Sequence, residues 1–300
     1  MQGRRRLSLV LGLAVLALAG CGDDDEAGGG EAAQTSTPAA EVKKYPADST
    51  LGQIQSKGEL TIGVKFDVPP FGFKNPQNNQ VEGFDVDLGK ALATNLGVKP
   101  KFIEAISDNR IPFLQDGTAD VILSTMTINE ERVEQIEFSD PYFVARGRVL
   151  VKNDSPITGV QDLGGKKVCT ALGSTYEANL KKQAPKAKLN LVDSYSECLE
   201  LLQNGAVDAI STDDVILTGM IIQDDTLKLV GEELTQEPYG AGIKKGETEV
   251  VAFVNDVFQG LKDSGKWKEL HQRWVGQYTK TEADPPTMSV EEAVELVKQN

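Results

Sequence analysis

Two nine-residue stretches of the 300-residue chain, 88 positions apart, carry one pattern: Leu114-Gln115-Asp116-Gly117-Thr118-Ala119-Asp120-Val121-Ile122 and Leu202-Gln203-Asn204-Gly205-Ala206-Val207-Asp208-Ala209-Ile210. Each reads as a helix end, a glycine able to take the left-handed cap conformation, and a buried strand. Their continuations differ in chemistry. The first copy runs into Ser124-Thr125-Met126-Thr127 and the second into Ser211-Thr212-Asp213-Asp214, with Thr125 aligned on Asp213. Ligands of open α/β sheets sit beyond the carboxyl ends of strands, so hydroxyls from one copy and acids from the other are candidates for holding a polar molecule. An aspartate there also serves as a helix N-cap, and one of Asp213 and Asp214 can do so while the other faces a ligand. Two cations fall at similar places: Lys65 after the first expected strand, and Arg110 in Ser107-Asp108-Asn109-Arg110 after the second. A solvated strand end accounts for Lys65 equally well, and a surface ion pair with Glu104 or Asp108 for Arg110. Gly173-Ser174-Thr175 precedes a helix and offers free N–H groups and hydroxyls to an anion, although an ordinary helix start uses the same residues.

Other chemistries are poorly supplied. One histidine, His271, and three cysteines are too few for a histidine-based triad with spare members or for a Cys/His zinc site. Gly159 to Lys167 has the glycines of a phosphate loop but places its lysine one position late and puts no Ser or Thr after it. Neither a metal nor a cofactor is expected. The net charge of −14 repels phosphate backbones, which argues against nucleic acid as a partner.

The elements that must position these groups alternate. Strands are expected at Leu60–Val64, 102–104, 121–123, 149–151, 167–170, 190–192, 209–211 and Leu227–Val230. Helices are expected at 85–96, 111–115, 176–182, 197–203 and Asp214–Gln223. Such repetition argues for α/β layers with largely parallel pairing, and the echoed copies for two lobes of similar architecture. Further helices are expected at 247–264, 266–274 and 289–298, the last set apart by Pro285-Pro286 as an extension covering 279–300.

The first twenty residues read as an export signal: Arg4-Arg5-Arg6, then an apolar run from Leu7 to Ala19 that is short of the roughly 20 residues needed to span a bilayer. Leu18-Ala19-Gly20-Cys21 resembles the lipobox of bacterial lipoproteins, in which the cysteine is acylated after cleavage. Residues 21–50, opening with four acids and rich in Gly, Ala, Thr and Pro, are expected to be a flexible tether. The expected location is the extracytoplasmic side of the cell membrane, held by the lipid on Cys21. Cys169 and Cys198 then remain as an even pair in an oxidising compartment, as a disulfide or as two buried thiols.

Gly83-Phe84-Asp85-Val86-Asp87-Leu88, continued by Leu92-Ala93 and Leu96, resembles the signature of the extracellular solute-binding proteins of polar amino-acid ABC importers, family 3. Pro70-Phe71, 117–120, 127–132, Phe138-Ser139-Asp140-Pro141-Tyr142, 162–166 and 266–274 match in order, so the resemblance spans about 51–278. It implies a two-lobed, periplasmic-binding-protein-like (Venus flytrap) α/β fold, each lobe a mostly parallel sheet flanked by helices. Lobe 1 would comprise 51–147 and 241–278 and lobe 2 would comprise 148–240, with hinge crossings near Gly147–Lys152 and Tyr239–Lys244. It also implies residue roles. Arg132 would pair the α-carboxylate of an amino acid, helped by Thr125 and Thr127, because a guanidinium makes two parallel bonds to a carboxylate. Beside the resemblance, the chemistry of a zwitterion makes Asp213 the candidate acceptor for the α-ammonium, and Ser174 and Thr175 at a helix start the candidates to close over the anion. Lys65, Ser107 and Arg110, which resemble the residues that contact the ligand side chain in the acidic-amino-acid binders, imply glutamate first and aspartate second. Glutamine or another polar amino acid is the alternative within the family, and a same-fold dehydratase or a sensor subunit lies outside it. The implied partners are the permease and ATPase subunits of an importer, with the binding protein itself a monomer and not an enzyme.

Overall fold

The structure is a computed structural model and describes residues 42–300. The expected signal, Cys21 and most of the expected tether lie outside the described residues.

Residues 42–49 correct one boundary. They do not continue a tether to residue 50, because the Tyr45 ring meets Phe253 edge-on at 6.2 Å, and Ser49 caps helix α1 (Thr50–Lys57) by accepting from Gly52 N. The first lobe is then built from β1 (Glu59–Val64), β2 (Asp67–Val68), β3 (Gly72–Lys74), β4 (Val81–Glu82), α2 (Phe84–Leu96), β5 (Lys99–Glu104), α3 (Arg110–Gln115), β6 (Val121–Ile122), α4 (Glu130–Gln135) and β7 (Glu137–Phe138). In α2, Leu88, Leu92 and Leu96 recur every fourth residue, lie on one face and are fully buried. Gly83 starts that helix at φ 139°, and a Cβ there would stand 2.0 Å from the Phe71 carbonyl oxygen, which is why the opening of the Gly-Phe-Asp motif tolerates only glycine.

Strand β8 (Phe143–Lys152) leads into the second lobe: β9 (Lys167–Ala171), α5 (Tyr176–Gln183), β10 (Lys188–Val192), α6 (Tyr195–Gln203), β11 (Ala209–Asp213), α7 (Asp214–Gln223), β12 (Leu227–Val230) and β13 (Gln236–Tyr239). The chain returns through β14 (Gly242–Ile243), α8 (Thr248–Asp263), α9 (Lys266–His271), a π-helical segment and α10 (Gln277–Thr279), and ends in α11 (Val290–Lys298). One sheet has the order β5-β1-β6-β14-β7 and the other β10-β9-β11-β8-β12, while β2, β3 and β4 form a small antiparallel sheet. The inner pairs β5-β1-β6 and β10-β9-β11 are parallel and their central strands are buried at every position after the first, as expected where helices cover both faces. Among the described residues no helix is long and apolar enough to cross a membrane.

The first crossing lies a few residues earlier than expected. Gly147–Lys152 already pairs with β11 and β12 inside the second sheet, whereas Phe143–Arg146 pairs with β13 alone. The connection between the sheets is therefore this antiparallel pair of strand halves, 143–146 with 236–239. The extension packs on the fold: Ser289 and Glu292 form a capping box, Ala293 is buried against the cluster containing Ile128 and Phe138, and the Asn300 side chain bonds both backbone groups of Gln236. Cys169 in β9 and Cys198 in α6 form a disulfide with Cα atoms 5.6 Å apart.

Candidate ligand-binding site

The carboxyl ends of β5 and β6 and the start of α4 face the carboxyl ends of β9 and β11 and the starts of α5 and α6. Between them lies a narrow cavity of about 10 Å³ lined by Ser107, Arg110, Thr125, Thr127, Arg132, Ser174, Thr175, Tyr176, Tyr195 and Asp213. Eight of the nine candidate ligand residues line it. The ninth, Lys65, is buried just behind it, donates to Ser107 Oγ at 2.8 Å, and has its Nζ 5.7 Å from the centre of the Tyr195 ring.

Each charge in the site has a local reason for its position. Arg132 sits in the first turn of α4, a helix started by Asn129 accepting from Arg132 N; its Nη1 donates to Thr127 O at 2.7 Å and its Nη2 to Gly173 O at 3.0 Å. In place of an ion pair with Glu104 or Asp108, Arg110 donates to backbone oxygens: Ser107 at 3.0 Å, Ser124 at 2.9 Å, Thr125 at 3.2 Å and Gly173 at 3.3 Å. The Gly173 carbonyl of the second lobe is thus shared by both arginines of the first. Burial, then the neighbouring Arg132, pulls the Arg110 pKa down to about 9. Burial, then Arg110, pulls the Lys65 amine down to about 7.

On the other side, Asp213 and Asp214 divide their work. Asp214 Oδ1 accepts from Arg146 N and Val215 N, and so serves the backbone. Asp213 makes no cap bond, accepts from Tyr176 Oη at 2.9 Å and faces the cavity. Burial, then the nearby Glu237, raises its pKa well above the usual carboxylate range. An ammonium placed against it would restore the ionised form.

Thr125 stands at φ 44°, a conformation that costs a β-branched residue roughly 1–3 kcal/mol and persists only where neighbours impose it. The neighbour is Asp85, fully buried, whose Oδ2 accepts from Thr125 N at 3.0 Å. The second acid of the site, Glu237, is also fully buried and accepts from Thr175 Oγ1 and Asn179 Nδ2. Sequence reasoning missed Tyr176, Tyr195 and Glu237 as site residues, and saw Asp85 only as part of a motif. Aromatics at helix starts look like core, and Glu237 precedes Pro238 in a strand that no alternation marks. Among the described residues no group of His, Cys, Asp and Glu is arranged to hold a metal ion.

The sequence profile described as bacterial extracellular solute-binding proteins, family 3, matches residues 60–277. The chain is 38% identical over 273 residues to the ABC transporter glutamine-binding protein GlnH of Bacillus subtilis (strain 168), covering 90% of this chain and 96% of that protein. It is 41% identical over 243 residues to the glutamine-binding protein of Geobacillus stearothermophilus, covering 80% and 91%. Among solved structures, an ancestral arginine-binding protein bound to glutamine matches with a TM-score of 0.70 at 40% identity, over 73% of this chain and 98% of that one.

Proposed function

The chain belongs to the bacterial extracellular solute-binding proteins of family 3, amino-acid-binding components of ABC importers, and from that premise we propose that it captures glutamine between its lobes and presents it to a permease. The observation that carries this reading is the placement of Arg132 and Asp213, a cation from one lobe and an acid from the other, on one cavity between the lobes. A zwitterion brings a carboxylate and an ammonium, and each needs a partner once water is excluded. Glutamate was the ligand expected from Lys65 and Arg110 as two free cations. Glutamine takes its place because Arg110 is engaged by four carbonyl oxygens, Lys65 is shifted towards neutrality, and the two relatives compared are glutamine binders. We further propose a monomer acylated on Cys21 and held at the outer face of the membrane. Replacing Cys21→Ala and measuring detergent partitioning tests the anchor.

The test of the ligand is a thermal unfolding panel on the purified protein with glutamine, glutamate, aspartate, arginine and a cyclic acid such as prephenate. A specific ligand at 100 times its dissociation constant adds roughly 2.7 kcal/mol, about 5–10 °C for a chain of this size. Glutamine is expected to give the largest shift. A larger shift with glutamate restores the acidic-ligand reading, and a shift with the cyclic acid alone, accompanied by its turnover, replaces binding with catalysis.

A further inference from the structure

Away from the cavity the lobes meet along a second seam, where β2 of the first lobe approaches α6 and α7 of the second. Helix α6 has nine residues, and its first N–H groups have no partner inside the helix. Its own cap, Ser194 Oγ, takes only Glu197 N, at 3.3 Å. The N–H groups of Tyr195 and Ser196 donate instead to one carboxylate oxygen of the other lobe, Asp67 Oδ2, at 2.8 and 3.1 Å. Beside this contact the Pro69 carbonyl lies so close to α7 that a Cβ on Gly219 would stand 1.8 Å from its oxygen. The lobes therefore touch here backbone to backbone, and Asp67 is the charged group that ties them. Asp67 does not line the cavity, but Tyr195, whose N–H it holds, does.

We propose that Asp67 is a positioning residue that holds the lobes closed over the ligand by binding the amino end of α6. The inference rests on the reading of the cavity as an amino-acid site. A contact that exists only when the lobes meet raises the population of the closed form, and apparent affinity scales with that population. A bond of this kind does not see the ligand, so its loss weakens every ligand with an uncharged side chain by one factor and acts mainly on the dissociation rate, while an acidic ligand also feels the loss of the Asp67 charge at Lys65. Two hydrogen bonds to a carboxylate at a helix amino end correspond to a factor of about 10 to 100.

The experiment compares the full chain with Asp67→Ala and Asp67→Asn. Calorimetry gives affinities for glutamine and for each other amino acid that binds the wild type, unfolding midpoints are taken with and without ligand, and spin labels at positions 90 and 181, exposed sites on the two lobes, report their separation. The expected result is one common loss of about 10- to 100-fold for Asp67→Ala among ligands with uncharged side chains, a smaller one for Asp67→Asn, a midpoint that falls more with ligand than without, and a lower closed population. Unchanged affinity overturns the proposal. So does a loss that differs among ligands with uncharged side chains, which places Asp67 on the ligand, or equal destabilisation with and without ligand, which makes it a structural residue only. Should the wild type bind no amino acid, the functional reading fails, and the label distances still decide the latch: an unchanged closed population in Asp67→Ala overturns it.

Discussion

Arg110→Ala separates two accounts of the cleft. In the account drawn from sequence, Arg110 selects the ligand side chain, so its removal leaves the ligand-free protein intact and penalises acidic ligands alone. In the structure Arg110 is 2% exposed, and its guanidinium bonds three carbonyl oxygens of its own lobe, Ser107, Ser124 and Thr125, before it reaches Gly173 across the cleft. Hydrogen bonds to a charged group contribute about 1.5–3 kcal/mol each, but they do not add, and removing a buried cation also relieves its desolvation and its repulsion from Arg132. A net loss of about 2–4 kcal/mol in folding stability remains. For a chain of this length that is a fall of roughly 5–15 °C in the ligand-free midpoint. Calorimetric unfolding without ligand, then titration with glutamine and with glutamate, measures both effects. Affinity for the two ligands should fall together, because the Thr125 backbone and the Gly173 contact are lost for either. Arg110→Lys should recover little, since an ammonium cannot reproduce the fork of donors. A ligand-free midpoint that stays put or rises, with the loss confined to glutamate, would refute this reasoning and return Arg110 to the ligand.

Lys65 ties stability to pH. Its amine titrates near 10.5 when unfolded and about 7 when folded, so between those values the unfolded chain holds more protons and stability should rise with pH, a rise that Lys65→Met should flatten in melts from pH 7 to 10. Asp85, raised to about 7 chiefly by burial, acts in the window below: there the folded chain holds more protons, and its contribution falls as pH climbs from 3.8. Bound glutamate should reprotonate Lys65, so calorimetry at pH 8 in buffers of different ionisation enthalpy should show proton uptake with glutamate and little with glutamine. Gly219→Ala should weaken all ligands at least about tenfold while the ligand-free midpoint holds or rises, because the new methyl collides with Pro69 O only when the lobes meet and alanine favours the helix by about 1 kcal/mol; unchanged affinity counts against the seam. The disulfide closes a loop of 29 residues, so Cys169→Ser with Cys198→Ser should lower stability by about 3–4 kcal/mol in denaturant titrations.

Where one kind of residue repeated with a period, the fold was legible. The apolar inner strands and the four-residue spacing in α2 mark parallel layers, and the echo at 114–122 and 202–210 marks two lobes. The crossing strands were not legible for a physical reason. The first half of β8 pairs only with β13 over four residues, and Pro238 within β13 is a residue that argues against a strand anywhere but at an edge. The strands of the small antiparallel sheet, two or three residues long, are too short for any alternation to show.

The site was legible at the level of which side chains meet and not at the level of which donors stay free. Counting cations gives Lys65, Arg110 and Arg132, and a count of three suggests a second carboxylate. A guanidinium, however, has five N–H donors, and the acceptors that compete with a ligand for them are backbone carbonyls, which every residue type carries and no sequence pattern marks. Gly173 O occupies donors on both arginines across the cleft, so an α-carboxylate arriving there meets groups already aimed at an oxygen. What is left for a side chain is an amine near neutrality at pH 7 beside the hydroxyls of Ser107 and Thr125. An amide can donate to and accept from those groups without leaving a charge unpaired among buried side chains, whereas a carboxylate must first recharge the neutral fraction of Lys65. That proton is the difference between the two ligands, and it would make the proposed preference for glutamine a property of pH as well as of shape.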